Sequence, residues 1–483
     1  MNDYTDFIRS KSRVAQPHGF QVNPDNLNQK AWAWQRLAVS WGLQRGRCAL
    51  WEDAGLGKTL QQLMWGEQIV LREKRPGLLL CPLGVRQQTV REAVKFGIQI
   101  PVVPANSQND AVLDGLNVTN YEKIQHFDTS KFVLVILDEA QIIKDFAGKT
   151  KRELCKRFAD TPYRLACSAT PAPNDYMELG CHSEFLGVLP SSEMLSRWFI
   201  NDTMKAGGYR LLEHAKEDFW KWMVSWSLAI SRPSDLGEFD DTPYVLPPIE
   251  YIYEYVSVEL QPEPGTLFHC EPLNATTIHK EKRQSCSGRA RRVAEIVSQG
   301  PDSIWLVFCD TDYEADELKL VLPVADTVEV RGSQSEKRKE AGLSDFSTGC
   351  KRILCTKPEI GGVGLNFQHC CNVVFVGLSY SFERFYQAVR RCWRFGQTKT
   401  VRVWIVQSEG EEAILRRVLQ KQTAHQAMQA SLADAMRKTQ LELLQGDLRL
   451  EKYQPQQAMQ LPPWLKKRKW KIGVDFDPEE LVK

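Results

Sequence analysis

Two separate series of short apolar runs, each interleaved with segments of helical period, limit what this chain can fold into more than any other feature. The first comprises Cys48–Trp51, Leu78–Cys81, Val133–Leu137 and Tyr163–Cys167, and the second Ile304–Phe308, Arg352–Cys355, Asn372–Val376 and Val401–Val406. An apolar run without polar alternation needs burial on both faces, the condition met by a parallel sheet covered by helices. The sequence therefore predicts two α/β lobes, and 483 residues leave room for two to four domains. Hydrophobic residues at 43% and charged residues at 25% exclude a disordered or fibrous chain.

Between the two series the character changes. Residues 173–283 carry Trp198, Trp220, Trp222 and Trp226, then the turn Leu246-Pro-Pro248, and read as a helical insertion followed by a linker. The tryptophans could stack on bases, but Trp220, Met223 and Ser227 fall at helical spacing among apolar neighbours, which favours packing. Beyond Val406, the stripe Ile414, Leu415, Val418 and Leu419 predicts a helical extension. It ends in Leu465-Lys-Lys-Arg-Lys-Trp-Lys471, either a solvated tail or a patch for phosphate contact and stacking. The expected organisation is an N-terminal segment 1–30, a first lobe 31–172, the insertion and linker 173–283, a second lobe 284–408, and an extension with basic tail 409–483.

Lys plus Arg is 62 against 60 acids, a net charge of +2, so a polyanionic partner would have to be held by local basic surfaces. Thirteen cysteines with no C-x-x-C pair suggest neither a zinc ribbon nor a disulfide framework, and point to a reducing compartment. Met1–Lys30 lacks the apolar core of a signal peptide, and Phe132–Leu137 is too short to span a bilayer. A cytoplasmic location is expected.

The chemistry begins at Glu52-Asp-Ala-Gly-Leu-Gly-Lys-Thr59, which follows a strand and opens a helix, the setting of a phosphate-binding loop. Gly55, Leu56 and Gly57 would offer backbone amides to phosphates, Lys58 would bridge the β and γ phosphates, and Thr59 would present its hydroxyl to Mg²⁺. Glu52 stands where the full motif has its first glycine. Downstream, Asp138-Glu139-Ala-Gln141 ends an apolar strand and projects two carboxylates at the C-terminal sheet edge, where open α/β sheets bind ligands. Asp138 suits a water-bridged Mg²⁺ and Glu139 suits polarising an attacking water. In the second series, Arg391 and Arg394 are three apart and share a face if their segment is helical. Guanidinium groups from a second lobe would stabilise charge on a transferring phosphoryl group.

In this order the motifs resemble those of the Swi/Snf-like branch of superfamily-two helicases and DNA translocases, from about Gln35 to Val406. Gln35 looks like the adenine-reading glutamine, Leu80-Cys-Pro-Leu83 like motif Ia, Asn117-Val-Thr-Asn-Tyr-Glu122 like motif Ib, and Ser168-Ala-Thr170 like motif III. Ser231-Arg-Pro-Ser-Asp235 resembles the connection between lobes. Arg331-Gly332, Thr356 and Gly361-Gly-Val-Gly-Leu-Asn366 resemble motifs IV to V, and Gln387-Ala-Val-Arg-Arg-Cys-Trp-Arg-Phe-Gly-Gln397 is similar to motif VI. Gln141 stands where this branch usually has histidine.

The resemblance implies two RecA-like lobes with ATP and Mg²⁺ between them. It assigns catalysis to Lys58, Glu139, Arg391 and Arg394, nucleotide binding to Gln35, Gly55, Leu56, Gly57, Lys58, Thr59 and Asp138, and the metal to Thr59 and Asp138. Nucleic-acid contact would fall to Thr119, Ser168, Thr170, Thr356, Gly362 and Asn366. The implied activity is ATP-driven movement along DNA, duplex or forked, in a compact protein of bacterial or bacteriophage type. An RNA helicase, or a clamp subunit that binds without turnover, is the alternative.

Overall fold

The computed structural model describes residues 15–172, 175–202, 208–257, 281–361, 366–379, 381–408 and 411–444. The basic tail at 465–471 and Gly362 lie outside the described residues. Strands are numbered in chain order: β1 (Arg47–Glu52), β2 (Gly77–Cys81), β3 (Val102–Pro104), β4 (Leu116–Asn120), β5 (Leu134–Leu137), β6 (Tyr163–Ser168), β7 (Phe199–Asp202), β8 (Gly208–Leu211), β9 (Ser227–Ile230), β10 (Ile249–Val256), β11 (Trp305–Cys309), β12 (Thr327–Val330), β13 (Ile353–Thr356), β14 (Asn372–Val376) and β15 (Val401–Ser408).

Two wholly parallel sheets result, one of seven strands in the order β3-β4-β2-β5-β6-β1-β9 and one of six in the order β10-β15-β14-β11-β13-β12. Alternation along the strands sends side chains into a core on each face. In β5, Val135 and Leu137 join one cluster while Leu134 and Ile136 join the other, all four fully buried. The second lobe repeats this with Leu306 and Phe308 on one side of β11 and Trp305 and Val307 on the other. Each such buried aliphatic or aromatic side chain contributes about 1.5–3 kcal/mol. The two α/β lobes expected from the apolar runs are present.

The segment expected to be a helical insertion is mixed. It holds helices at Leu179–Leu186, Ser191–Trp198 and Lys216–Val224, but also the β7–β8 hairpin and two strands that complete the sheets, β9 beside β1 and β10 beside β15. β9 is four residues long, and β10 alternates between half-buried and exposed positions because it is an edge strand, so neither looks like the apolar runs of the inner strands. Trp198, Trp222 and Trp226 are buried with Phe219 in the first-lobe core, Trp198 stacking on Trp222 at 4.7 Å. Ser227 departs from the helical reading: the helix ends at Val224, and Ser227 begins β9 with its hydroxyl donating to the Met223 carbonyl at 2.7 Å.

The extension is one helix, Glu412–Leu444, that joins both lobes. Ile414, Leu415 and Val418 bury into the second-lobe core, whereas Leu432 and Met436 belong to the first-lobe core. Near its end, the fully buried Gln440 amide accepts from Ala229 N at 3.1 Å and donates to Ala229 O at 3.4 Å and Asp235 O at 3.1 Å. It thereby satisfies the outer edge of β9 as a further strand would. Among the described residues no helix is long and apolar enough to cross a membrane.

Candidate active site

The phosphate-binding loop leaves β1 at the buried Glu52 and enters the helix Lys58–Glu73. Gly55 and Gly57 take φ of +96° and +86°, left-handed values that a side chain resists. Both also sit under close neighbours: a Cβ on Gly55 would lie 2.7 Å from the Phe395 backbone nitrogen, and one on Gly57 2.4 Å from Gln35 Nε2. Phe395 comes from the second lobe, so the loop is part of the interlobe contact. Lys58 Nζ spans the loop to the carbonyls of Glu52 at 2.7 Å and Asp53 at 3.2 Å.

A cleft of about 320 Å³ opens over this loop and is lined from both lobes. The first lobe supplies Gln35, Gly55, Gly57, Lys58, Thr59, Asp138, Glu139 and Thr170, and the second Asn366, Gln387, Arg390, Arg391 and Arg394. Leu56 is buried beneath, its carbonyl accepting from Gln35 Nε2 at 2.7 Å, while Gln35 Oε1 accepts from Trp32 N at 3.0 Å. Gln35 thus ties the loop to the start of the helix Ala33–Arg45.

The strand-end acids have different surroundings. Burial and the adjacent Glu139 push Asp138 up from the ordinary carboxylate range, and its Oδ1 accepts from Gln62 Nε2 at 2.8 Å. Burial pushes Glu139 up too, but the Arg391 guanidinium and the Lys58 ammonium outweigh it and hold the carboxyl below its usual range. Arg391 Nη2 lies 3.4 Å from Glu139 Oε1, and Gln141 Nε2 donates to Glu139 Oε2 at 3.0 Å. Ser168 Oγ donates to Gln141 Oε1 at 2.8 Å and accepts from Thr170 N at 3.0 Å. Gln141, in the position where histidine is usual, therefore links the acid pair to the Ser168–Thr170 turn. Glu139 itself takes φ +54° and ψ 53°, a left-handed backbone costing about 1–2 kcal/mol for a residue with a side chain.

Arg391 and Arg394 do not share a helix face. The helix Phe382–Val389 stops before them, because the Arg391 carbonyl turns away to accept from Phe367 N at 3.0 Å and the Trp393 indole donates to the Pro247 carbonyl at 2.7 Å. Successive turns bring both guanidiniums to the cleft all the same. Burial and the neighbouring Arg391 pull Arg394 down to about 10, so its surroundings disfavour the cation and an anion in the cleft would restore it.

Of the residues assigned to nucleic acid, Thr119, Ser168 and Thr356 are fully buried, and Thr356 Oγ1 donates to the Val330 carbonyl at 2.8 Å. Thr170 and Asn366 line the same interlobe cleft as Lys58 and Arg391. Sequence reasoning missed Arg390, whose Nη2 reaches Asp53 Oδ2 at 3.1 Å and ties motif VI to the loop. An acid inside a loop built for phosphates, opposite a segment with adjacent arginines, was the available signal. Tyr244 was also missed: it comes from the linker, packs on Phe395 at 4.8 Å and lines the cleft, and nothing in its local sequence marks it.

Chain comparisons agree with the motif order. Residues 31–220 match the SNF2-related domain and residues 288–396 the helicase conserved C-terminal domain. The chain belongs to the Swi/Snf-like branch of helicase superfamily two. Curated relatives include an uncharacterized ATP-dependent helicase of Mycoplasma genitalium, 22% identical over 87% of this chain and 45% of its own length. Another, from Bacillus subtilis, is 23% identical over 82% of this chain and 78% of its own. This Swi/Snf-like chain thus spans less than half of the first relative and about three quarters of the second. Among solved structures, a Sulfolobus solfataricus SWI2/SNF2 ATPase core in complex with dsDNA matches 88% of this chain and 98% of its own, at 20% identity and a TM-score of 0.41.

Glu52, at the family loop's entrance, has a pH signature. Burial pushes its carboxyl from 4.5 to about 7, against the opposing Lys58 and Gln61. The folded state then holds this proton more tightly than the unfolded state, so stability falls as pH rises from about 4.5 to about 7 and stays reduced above. Glu52→Gln removes the titration. Its melting temperature relative to wild type is expected to rise between pH 5 and pH 8, by a free energy on the order of 3 kcal/mol. A constant offset across that range contradicts the assignment.

Proposed function

We propose that this chain hydrolyses ATP in the interlobe cleft and uses the cycle to move along DNA. The observation that carries the reading is the pairing of Glu139 from one lobe with Arg391 from the other, 3.4 Å apart, in the cleft that also holds Lys58. In this reading Lys58 and the Gly55–Gly57 amides hold the β and γ phosphates, while Glu139 orients the attacking water and takes its proton. Arg391 and Arg394 face the oxygens on which negative charge accumulates.

The residues at hand suit Mg²⁺. Asp138 and Thr59 are hard oxygen donors lining one cleft, and Asp138 is a buried carboxyl whose ionised form is disfavoured, a state a divalent cation would reverse. Bound there, the ion would neutralise phosphate charge.

Family membership supports DNA as the track, and the interlobe arrangement supports coupling. Because Arg390, Arg391 and Arg394 line the cleft from the second lobe, the charge on the nucleotide sets how strongly the lobes are drawn together. The experiment is ATP turnover with duplex, single strand, fork and matched RNA, together with strand displacement on the same substrates. Stimulation by duplex DNA, falling steeply with salt, is expected. Equal turnover with and without nucleic acid removes the translocase reading, and selective stimulation by RNA replaces it with an RNA helicase.

A further inference from the structure

The left-handed backbone at Glu139 has to be held in place, and its supports can be traced. The Asp138 amide donates to the Leu80 carbonyl at 2.8 Å, which continues the sheet, and the Asp138 side chain accepts from Gln62. The Asp138 carbonyl belongs to the peptide that leads into Glu139. It accepts from the Tyr121 hydroxyl at 2.7 Å, with both groups buried. Fixing that oxygen fixes the peptide plane from which the Glu139 side chain departs.

Tyr121 opens the turn Tyr121–His126 directly after β4. Its ring packs in the first-lobe core, and burial together with the nearby carboxylates keeps the phenol protonated, hence a donor. A second cleft of about 560 Å³ lies between the lobes, lined by Tyr121, Glu122 and Gln141 from the first and by Glu336 and Glu340 from the second. Glu139 lines this cleft as well as the nucleotide cleft. Two residues beyond Tyr121, Lys123 Nζ lies 3.4 Å from Glu336 of the second lobe. The turn that carries the tyrosine is therefore in contact with the second lobe.

We infer that Tyr121 is a positioning residue for hydrolysis. Its hydroxyl holds the Asp138–Glu139 peptide so that the Glu139 carboxylate faces Arg391 and Lys58, and a displacement of the Tyr121–His126 turn reaches Glu139 through that one bond. The inference rests on the proposed ATP hydrolysis.

The test is Tyr121→Phe, which keeps the buried ring and removes only the donor. The expected result is a fall in kcat of about tenfold or more with the KM for ATP within twofold of wild type. A kcat within twofold of wild type, or a loss confined to KM, overturns the inference. Should the variant not fold, 3-fluorotyrosine and 3,5-difluorotyrosine at position 121 keep the ring and grade the donor: kcat should change stepwise with the KM for ATP within twofold of wild type, and a kcat indifferent to both replacements overturns the inference. Absence of turnover in the wild-type protein is a different result, and counts against the hydrolytic reading itself.

Discussion

Glu139→Gln is expected to leave ATP binding within a fewfold of wild type and to reduce turnover by about 10²- to 10⁴-fold. The replacement is nearly isosteric, but Gln141 and Arg391 reach different oxygens of the carboxylate, so the single amide oxygen accepts from only one of them. What disappears is the charge that, in the proposed mechanism, orients the water and accepts its proton. The surroundings show that this charge is maintained: Arg391 and Lys58 overcome burial and keep Glu139 ionised, whereas Asp138 beside it is pushed the other way. In the proposed mechanism, two adjacent carboxyls with opposite shifts divide the work between a base and a metal or phosphate anchor. Nucleotide binding by fluorescence and turnover by phosphate release check both halves. Normal turnover would assign the base elsewhere.

The second large effect belongs to Arg391. Arg391→Ala is expected to slow hydrolysis by about 10³-fold or more, with nucleotide affinity changed much less, because its guanidinium acts on charge that develops only during transfer. Its burial disfavours the free cation, and Glu139 partly restores it, so in the ground state the arginine is already matched to an anion. Arg391→Lys should recover little, since a point charge does not replace a planar fork reaching across the lobes. A variant that loses binding but keeps kcat makes Arg391 a ground-state anchor instead. Comparison with Arg390→Ala is informative: Arg390 contacts Asp53 of the loop rather than the acid pair, so its loss should weaken interlobe contact more than the chemical step.

Much of this was legible in the chain because it is encoded locally. Apolar runs such as Val133–Leu137 can be buried on both faces only in a covered parallel sheet; Asp138 and Glu139 directly follow one such strand, and Lys58 opens the helix after the loop that leaves another. What was not legible depends on partners distant in sequence. β9 and β10 take their strand character from β1 and β15, not from their own composition. Arg391 and Arg394 reach the cleft from turns rather than a helix, because Phe367 and Pro247 capture groups of their segment. Tyr244 and Tyr121 enter the site through contacts with partners distant in sequence, which no spacing rule marks. The buried hydroxyls of Thr119 and Thr356 make the same point: a motif assigns a residue, while only the fold says which way it points.

The central claim is that one triphosphate is gripped by Lys58 from the first lobe and by arginines from the second. A structure of the full chain with Mg²⁺ and an ADP–fluoride mimic of the transferring phosphoryl group measures this directly. The account expects the mimic within hydrogen-bond reach of Lys58 Nζ and of the Arg391 or Arg394 guanidinium, with Glu139 facing its open side. A mimic bound to the loop with both arginines remote from it would contradict the account.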